Sequence, residues 1–206
     1  TAIVLSDAML DVTISEVIAG ALSFNGQRCT ALKMIFVHRK IMPEFMRMLN
    51  DAVSSLKLGM PWEKDVDITP LPEEGKCEYL AGLVDDAVSK GASVVNKDGG
   101  IFFGNFFKPA VVFPVTSEMK LYHEEQFGPV IPVSAFDDIE EPLRYIIDSN
   151  YGQQVSIFGK NPDRIANLID PLVNQVARVN INCQCQRGPD VFPFTGRKDS
   201  AEGTLS

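Results

Sequence analysis

The chain is predicted to fold as an α/β domain on a largely parallel sheet. Short apolar runs of strand character recur along it, and segments with apolar residues at helical spacing fall between them. Turn residues separate the two kinds of segment. In order, Ala2-Ile3-Val4-Leu5 reads as a buried strand, and residues 7–22 as a helix with Asp11 at its start. Met34-Ile35-Phe36-Val37 is a second strand. Residues 43–56 form an amphipathic helix, with Phe45, Met48, Leu49, Ala52 and Val53 on one face and Pro43 in the first turn. Residues 59–72 hold three prolines and read as loop. A helix over 73–90 ends at Gly91, Ser93-Val94-Val95 is a short strand, and Asp98-Gly99-Gly100 is a turn. Strands are predicted at 106–112, 130–135, 155–158 and 176–181, with helices at 139–149 and 162–169. After Asn182 the chain turns irregular, as an ordered loop. No repeat or long linker divides it, so one domain is expected.

Composition narrows the function. The 206 residues carry 19 Lys and Arg against 27 Asp and Glu, a net charge of −8. Without a basic stripe, neither nucleic acid nor an anionic membrane is an expected partner. No apolar run approaches the ~18–20 residues that span a bilayer. Cys29, Cys77, Cys183 and Cys185 are too few to staple a chain of this length and fit a reducing, cytoplasmic setting. The sequence starts without Met, in strand-like residues, and is expected to be a piece of something longer.

Cys29 is the residue of most chemical interest. It lies in Phe24-Asn25-Gly26-Gln27-Arg28-Cys29-Thr30, between a predicted helix and a predicted strand. Such a junction can expose a thiol, and a neighbouring cation favours the thiolate, which is the nucleophile. An arbitrary cysteine is more often a small buried hydrophobe. Cys183 and Cys185 stand two apart, on one face of an extended strand, with no further Cys or His pair to complete a zinc site, so no metal is expected. A Cys–His protease would need His38 or His123 beside Cys29, and no protease-like string surrounds it. No G-x-G-x-x-G string follows a strand, so the chain lacks a dinucleotide fingerprint of its own.

Taken together, four strings outweigh the bland reading of Cys29. Phe24-Asn25-Gly26-Gln27-Arg28-Cys29 resembles the nucleophile segment of the aldehyde dehydrogenase superfamily, and Glu124-Glu125-Gln126-Phe127-Gly128-Pro129 resembles its E-E-x-F-G-P motif. Asn150-Tyr151-Gly152, followed by Val155-Ser156-Ile157-Phe158, is similar to a third segment, with Gln153 in place of the usual Leu. Pro193-Phe194-Thr195-Gly196-Arg197-Lys198-Asp199-Ser200 is similar to the late P-F-G-G-x-K-x-S-G stretch, with Thr195 for a Gly and Ala201 for the final one. The resemblance covers essentially the whole chain and implies a layered αβα catalytic domain. Within the superfamily the chain most resembles the NADP-dependent, non-phosphorylating glyceraldehyde-3-phosphate dehydrogenases found in plants. Arg28, Arg187 and the loop Met60-Pro61-Trp62-Glu63 to Ile68-Thr69-Pro70-Leu71-Pro72 carry that narrower likeness.

The resemblance implies roles residue by residue. Cys29 attacks the aldehyde, a thiohemiacetal gives up hydride, and the resulting thioester is hydrolysed. Glu125 matches the glutamate that holds the nicotinamide ribose, and Phe127 the ring packed near the nicotinamide. Glu124 reads as a solvated neighbour. Arg28 and Arg187 would bind the substrate phosphate through charge-assisted bidentate bonds. Asn182 matches a substrate-pocket asparagine, with a strand-end cap the competing reading. The cofactor is expected to be NADP, with NAD left open because that choice lies outside this chain.

Several family elements align beyond its ends: the general-base glutamate, an oxyanion asparagine, two further phosphate contacts, the cofactor domain and an oligomerisation strand. The parent is accordingly expected to be a homotetramer or homodimer, and the 206 residues alone to be inactive. Two alternatives compete: a dehydrogenase of this superfamily for another aldehyde or a semialdehyde, and a non-catalytic folding or dimerising module.

Overall fold

Alternate residues of the central strands feed two separate cores. Ala2 and Val4 of the first strand, with Ile35 and Val37 of the second, enter one apolar cluster, while Ile3, Met34 and Phe36 enter the other. A strand buried on both faces must be covered on both, which requires three layers. The computed structural model describes residues 1–189, 191 and 193–202 and shows this arrangement.

The elements run in chain order β1 (Ala2–Val4), α1 (Leu10–Leu22), β2 (Ile35–His38), α2 (Met42–Ser54), α3 (Lys76–Ser89), β3 (Ser93–Val94), β4 (Phe102–Phe103), β5 (Phe106–Phe107), β6 (Ala110–Phe113), α4 (Lys120–His123), β7 (Val130–Phe136), α5 (Glu140–Asp148), β8 (Tyr151–Gly152), β9 (Gln154–Phe158), α6 (Pro162–Val173), β10 (Arg178–Ile181) and β11 (Arg197–Lys198). Seven strands form the main sheet in the order β10-β9-β1-β2-β7-β6-β3. Every neighbouring pair is parallel except β3 with β6. α1 and α2 bury Val17, Phe45 and Leu49 in the core on one face. α3, α5 and α6 bury Leu80, Leu143 and Leu168 in the core on the other. The expected α/β class and largely parallel sheet are what the structure has. Among the described residues no helix is long and apolar enough to cross a membrane.

Several boundaries differ from expectation, each for a local reason. The single strand expected at 106–112 is divided at Lys108-Pro109. Lys108 N–H bonds Ile101 O in the β4–β5 hairpin, whereas Ala110 N–H bonds Pro129 O beside β7, and Pro109 has no N–H to bridge the change of partner. The helix expected from 73 starts at Lys76, because Gly75 before it is left-handed (φ 75°). α6 continues through Pro171 to Val173 instead of stopping at 169. β10 stops at Ile181, and Asn182 (φ 52°) turns the chain back. Cys183 and Cys185 therefore do not share a strand face: Cys185 is buried beside Ser156 Oγ at 3.2 Å, and Cys183 is half-buried.

The late segment contains a two-residue strand, β11. β11 pairs antiparallel with β8, Arg197 opposite Gly152. Lys198 Nζ donates to the carbonyls of Ile146, Ile147 and Ser149 at 2.7, 2.9 and 2.9 Å, capping the C-terminus of α5. Gly152 N–H donates to Ser200 Oγ at 2.9 Å. Asp199 and Ser200 are thereby held against the start of β9.

Candidate active site

The segment bearing Cys29 is a tightly constrained loop. After α1, Phe24, Asn25 and Gly26 are all left-handed, with φ of 54°, 58° and 71°. Three such residues in succession are costly unless their surroundings hold them. Asn25 supplies part of that hold, since its amide donates to Thr69 Oγ1 and accepts from Thr69 N–H, each at 3.0 Å. Gly26 lies so close to the next motif that a Cβ on it would stand 2.5 Å from Gly128 O. A turn closed by Ala31 N–H to Arg28 O (2.9 Å) then presents Cys29 at its second position, exposed to solvent.

Cys29 opens onto a cavity of about 160 Å³. Its walls come from all four sequence strings: Cys29 from the first, Glu125 from the second, Tyr151 and Val155 from the third, Asp199 and Ser200 from the fourth. Thr1, Lys33, Gln154 and Val176 also line it, each just before or at the beginning of a parallel strand. The cavity thus lies at the amino ends of the sheet. Glu125 is half-buried there, and burial raises its carboxyl pKa while Lys33 and Lys76 oppose the rise. Among the described residues none donates a hydrogen bond to that carboxylate, so its oxygens are open to a ligand.

Residues 1–206 match the family model described as the aldehyde dehydrogenase family. The chain belongs to that family. It is 39% identical over 206 residues to an NADP-dependent glyceraldehyde-3-phosphate dehydrogenase of Streptococcus equinus, covering 98% of this chain and 42% of the relative. To the enzyme of the same name from Pisum sativum it is 37% identical over 202 residues, covering 98% and 40%. A crystal structure of such an enzyme from Bacillus halodurans, complexed with NADP, superposes with a TM-score of 0.93 at 40% identity, covering 98% of this chain and 42% of that one. The chain thus spans about two-fifths of the length of these relatives.

The remaining residues singled out by the family likeness are placed less uniformly. Phe127 (φ 45°) lines a small recess that shares Glu125 and Lys33 with the main cavity, and Lys76 Nζ lies 5.9 Å from its ring centre. Glu124 is exposed and accepts from Tyr79 O–H at 3.2 Å.

Arg28 lines the same recess, but its side chain turns toward α1. Nη2 donates to Ala19 O and Gly20 O at 3.2 Å each and to Gln184 Oε1 at 3.4 Å. Burial lowers its pKa, and its Nε is buried without a partner among the described residues. Two of the Nη2 bonds tie Arg28 to the last turns of α1, and the third reaches the loop at 184. Arg187, on that loop, is exposed with its guanidinium 5.5 Å from the Phe194 ring, and it does not line the cavity.

Asn182 does not line the cavity. Its amide accepts from Gly159 N–H at 3.0 Å and donates to Gly159 O at 2.9 Å. It clamps the carboxyl ends of β9 and β10, the opposite end of the sheet from the cavity.

Two lysines escaped the sequence reading. Lys33, just before β2, is buried and lines the cavity. Lys76, the first residue of α3, is buried with its Nζ 4.7 Å from the Tyr79 ring centre. The only signal for Lys33 was a lone cation abutting the apolar run that becomes β2.

Proposed function

We propose that this chain is the catalytic portion of an NADP-dependent, non-phosphorylating glyceraldehyde-3-phosphate dehydrogenase, with Cys29 as its nucleophile. The observation that carries the reading is the joint placement of Cys29 and Glu125 in one cavity built from four distant segments. The names of its relatives supply the substrate and cofactor class.

The donor set suits the cofactor. An ionised carboxylate is an acceptor at both oxygens, and a ribose offers two hydroxyl donors. Glu125, half-buried and with no donor from the described chain, is the residue to hold that ribose, and Phe127 the ring to pack beside it. A bound nicotinamide supplies the hydride acceptor. Cys29 supplies the rest of the chemistry visible in this chain. Its exposed sulfur attacks the aldehyde carbon, and its backbone N–H is at hand as one donor to the oxyanion. Loss of hydride from the thiohemiacetal leaves a thioester on Cys29. Water cleaves that ester, returning the thiol and releasing the acid. Arg187 is the phosphate partner in this reading, and Arg28 holds the loop that carries it. The 206 residues alone are not expected to turn over.

Activity of the protein carrying this chain tests the proposal, with NADP and a panel of phosphorylated, uncharged and semialdehyde substrates. Glyceraldehyde 3-phosphate is expected to have the highest kcat/KM and to yield 3-phosphoglycerate. Cys29→Ser is expected to abolish oxidation while NADP binding persists. Preference for a semialdehyde would overturn the substrate class, and normal turnover by Cys29→Ser would overturn the mechanism.

A further inference from the structure

A buried ammonium is costly, and a methionine at the same place would fill similar volume without that cost. Where a lysine is kept, its donors and charge are the properties to examine. Lys33 lies four residues after Cys29, and its Nζ donates to Tyr122 O at 3.1 Å and Leu121 O at 3.4 Å, at the end of α4. Those carbonyls come shortly before Glu125. Just after Glu125, the Gln126 amide donates back to Lys33 O at 3.1 Å and to Val130 O at 2.9 Å. The segment bearing Glu125 is therefore gripped on both sides by one residue of the nucleophile segment, with donors running in opposite directions.

The charge of Lys33 has a consistent orientation. Glu125 and Glu124 are its principal charged partners, and the Tyr145 ring centre lies 6.0 Å from Nζ. Lys76 acts on Glu125 from the α3 side. Burial in the cavity disfavours the Glu125 carboxylate, and the two lysines offset part of that penalty.

We propose that Lys33 is a positioning residue that latches the Glu125 segment to the Cys29 segment and keeps the Glu125 carboxylate set for the cofactor ribose. The proposal rests on the reading of Cys29 and Glu125 given above and adds a residue to it. Lys33 touches neither sulfur nor substrate in this account. It acts through Glu125.

The test compares wild type, Lys33→Met, Lys33→Arg and Gln126→Leu in the full-length enzyme carrying this chain. NADP dissociation constants, KM for NADP, kcat and the rate of Cys29 alkylation by iodoacetamide without cofactor are measured. Lys33→Met is expected to weaken NADP binding about tenfold, equivalent to one well-set polar contact. Its alkylation rate should stay within about twofold of wild type, because the Cys29 turn is held independently by Asn25 and Thr69. Lys33→Arg should recover most of the NADP affinity. Gln126→Leu should show the same selective loss and stands in if Lys33→Met fails to fold. Unchanged NADP affinity in Lys33→Met, or equal loss of NADP affinity and Cys29 alkylation with no recovery in Lys33→Arg, would overturn the latch. Failure of wild type to bind NADP would instead overturn the proposed function, and the latch with it.

Discussion

Replacing Gly26 by alanine probes the contact between the two motif loops. Gly26 has φ 71°, and a Cβ there would stand 2.5 Å from Gly128 O and 2.7 Å from Ala21 O. Both neighbours are backbone atoms: Gly128 O accepts from Val130 N–H at 2.8 Å, and Ala21 O lies in the last turn of α1. The left-handed conformation costs alanine about 1 kcal/mol relative to glycine. Parting the loops to admit the methyl adds roughly 1–3 kcal/mol, the usual range for overpacking. The total is about 2–4 kcal/mol, which at ~2 kcal/mol/M shifts a urea midpoint by roughly 1–2 M.

Gly75 makes a fitting control, because it has φ 75° but a Cβ there meets nothing within 4 Å. Gly75→Ala carries the conformational term alone, about 1 kcal/mol. Urea unfolding of both variants, with iodoacetamide alkylation of Cys29 as a local readout, separates the two terms. A Gly26→Ala midpoint equal to that of Gly75→Ala, with wild-type alkylation, would refute the close packing of the loops.

Lys33 gives the chain a pH signature. Burial pulls its pKa from 10.5 down to about 8, about 3 kcal/mol at ~1.4 kcal/mol per pH unit. Since the folded value lies below the unfolded one, wild-type stability should rise relative to Lys33→Met between pH 8 and 10.5, and parallel urea-stability curves over that window would contradict the burial of the charge. Asn182→Ala removes both bonds to Gly159 and leaves its N–H and C=O unpartnered, which should cost about 1–3 kcal/mol in urea unfolding. KM for the phosphorylated aldehyde should stay at the wild-type value; a selective rise in KM without loss of stability would return Asn182 to the substrate pocket.

Legibility in the sequence tracked how local each cause was. β1, β2, β7 and β9 are dense apolar runs, and burial on both faces makes such runs visible without knowledge of their partners. The change of partner at Lys108-Pro109 was hidden because it depends on β7, distant in sequence. α4 is a single turn, too short to show a period. Cys29 and Glu125, which line one cavity, could be singled out because their neighbouring glycines and aromatics form recognisable strings. Lys33 and Lys76 could not, because burial of a cation is a property of the packed fold. The direction of the Arg28 side chain and the Gly159 clamp on Asn182 were hidden for the same reason: each is decided by a carbonyl far along the chain or across a turn.

The assembly of the cavity from the beginning, middle and end of the chain also bears on how it folds. Cys29 meets Glu125 only after β7 has entered between β2 and β6, and it meets Asp199 only after β11 has zipped onto β8. These closures are all long-range, the kind that raises contact order and slows folding. The lining is complete only when Thr1 at one end of the chain and Ser200 near the other are both in place. Its appearance during refolding should therefore wait on the docking of β11, which makes a ligand of that cavity a reporter of that closure.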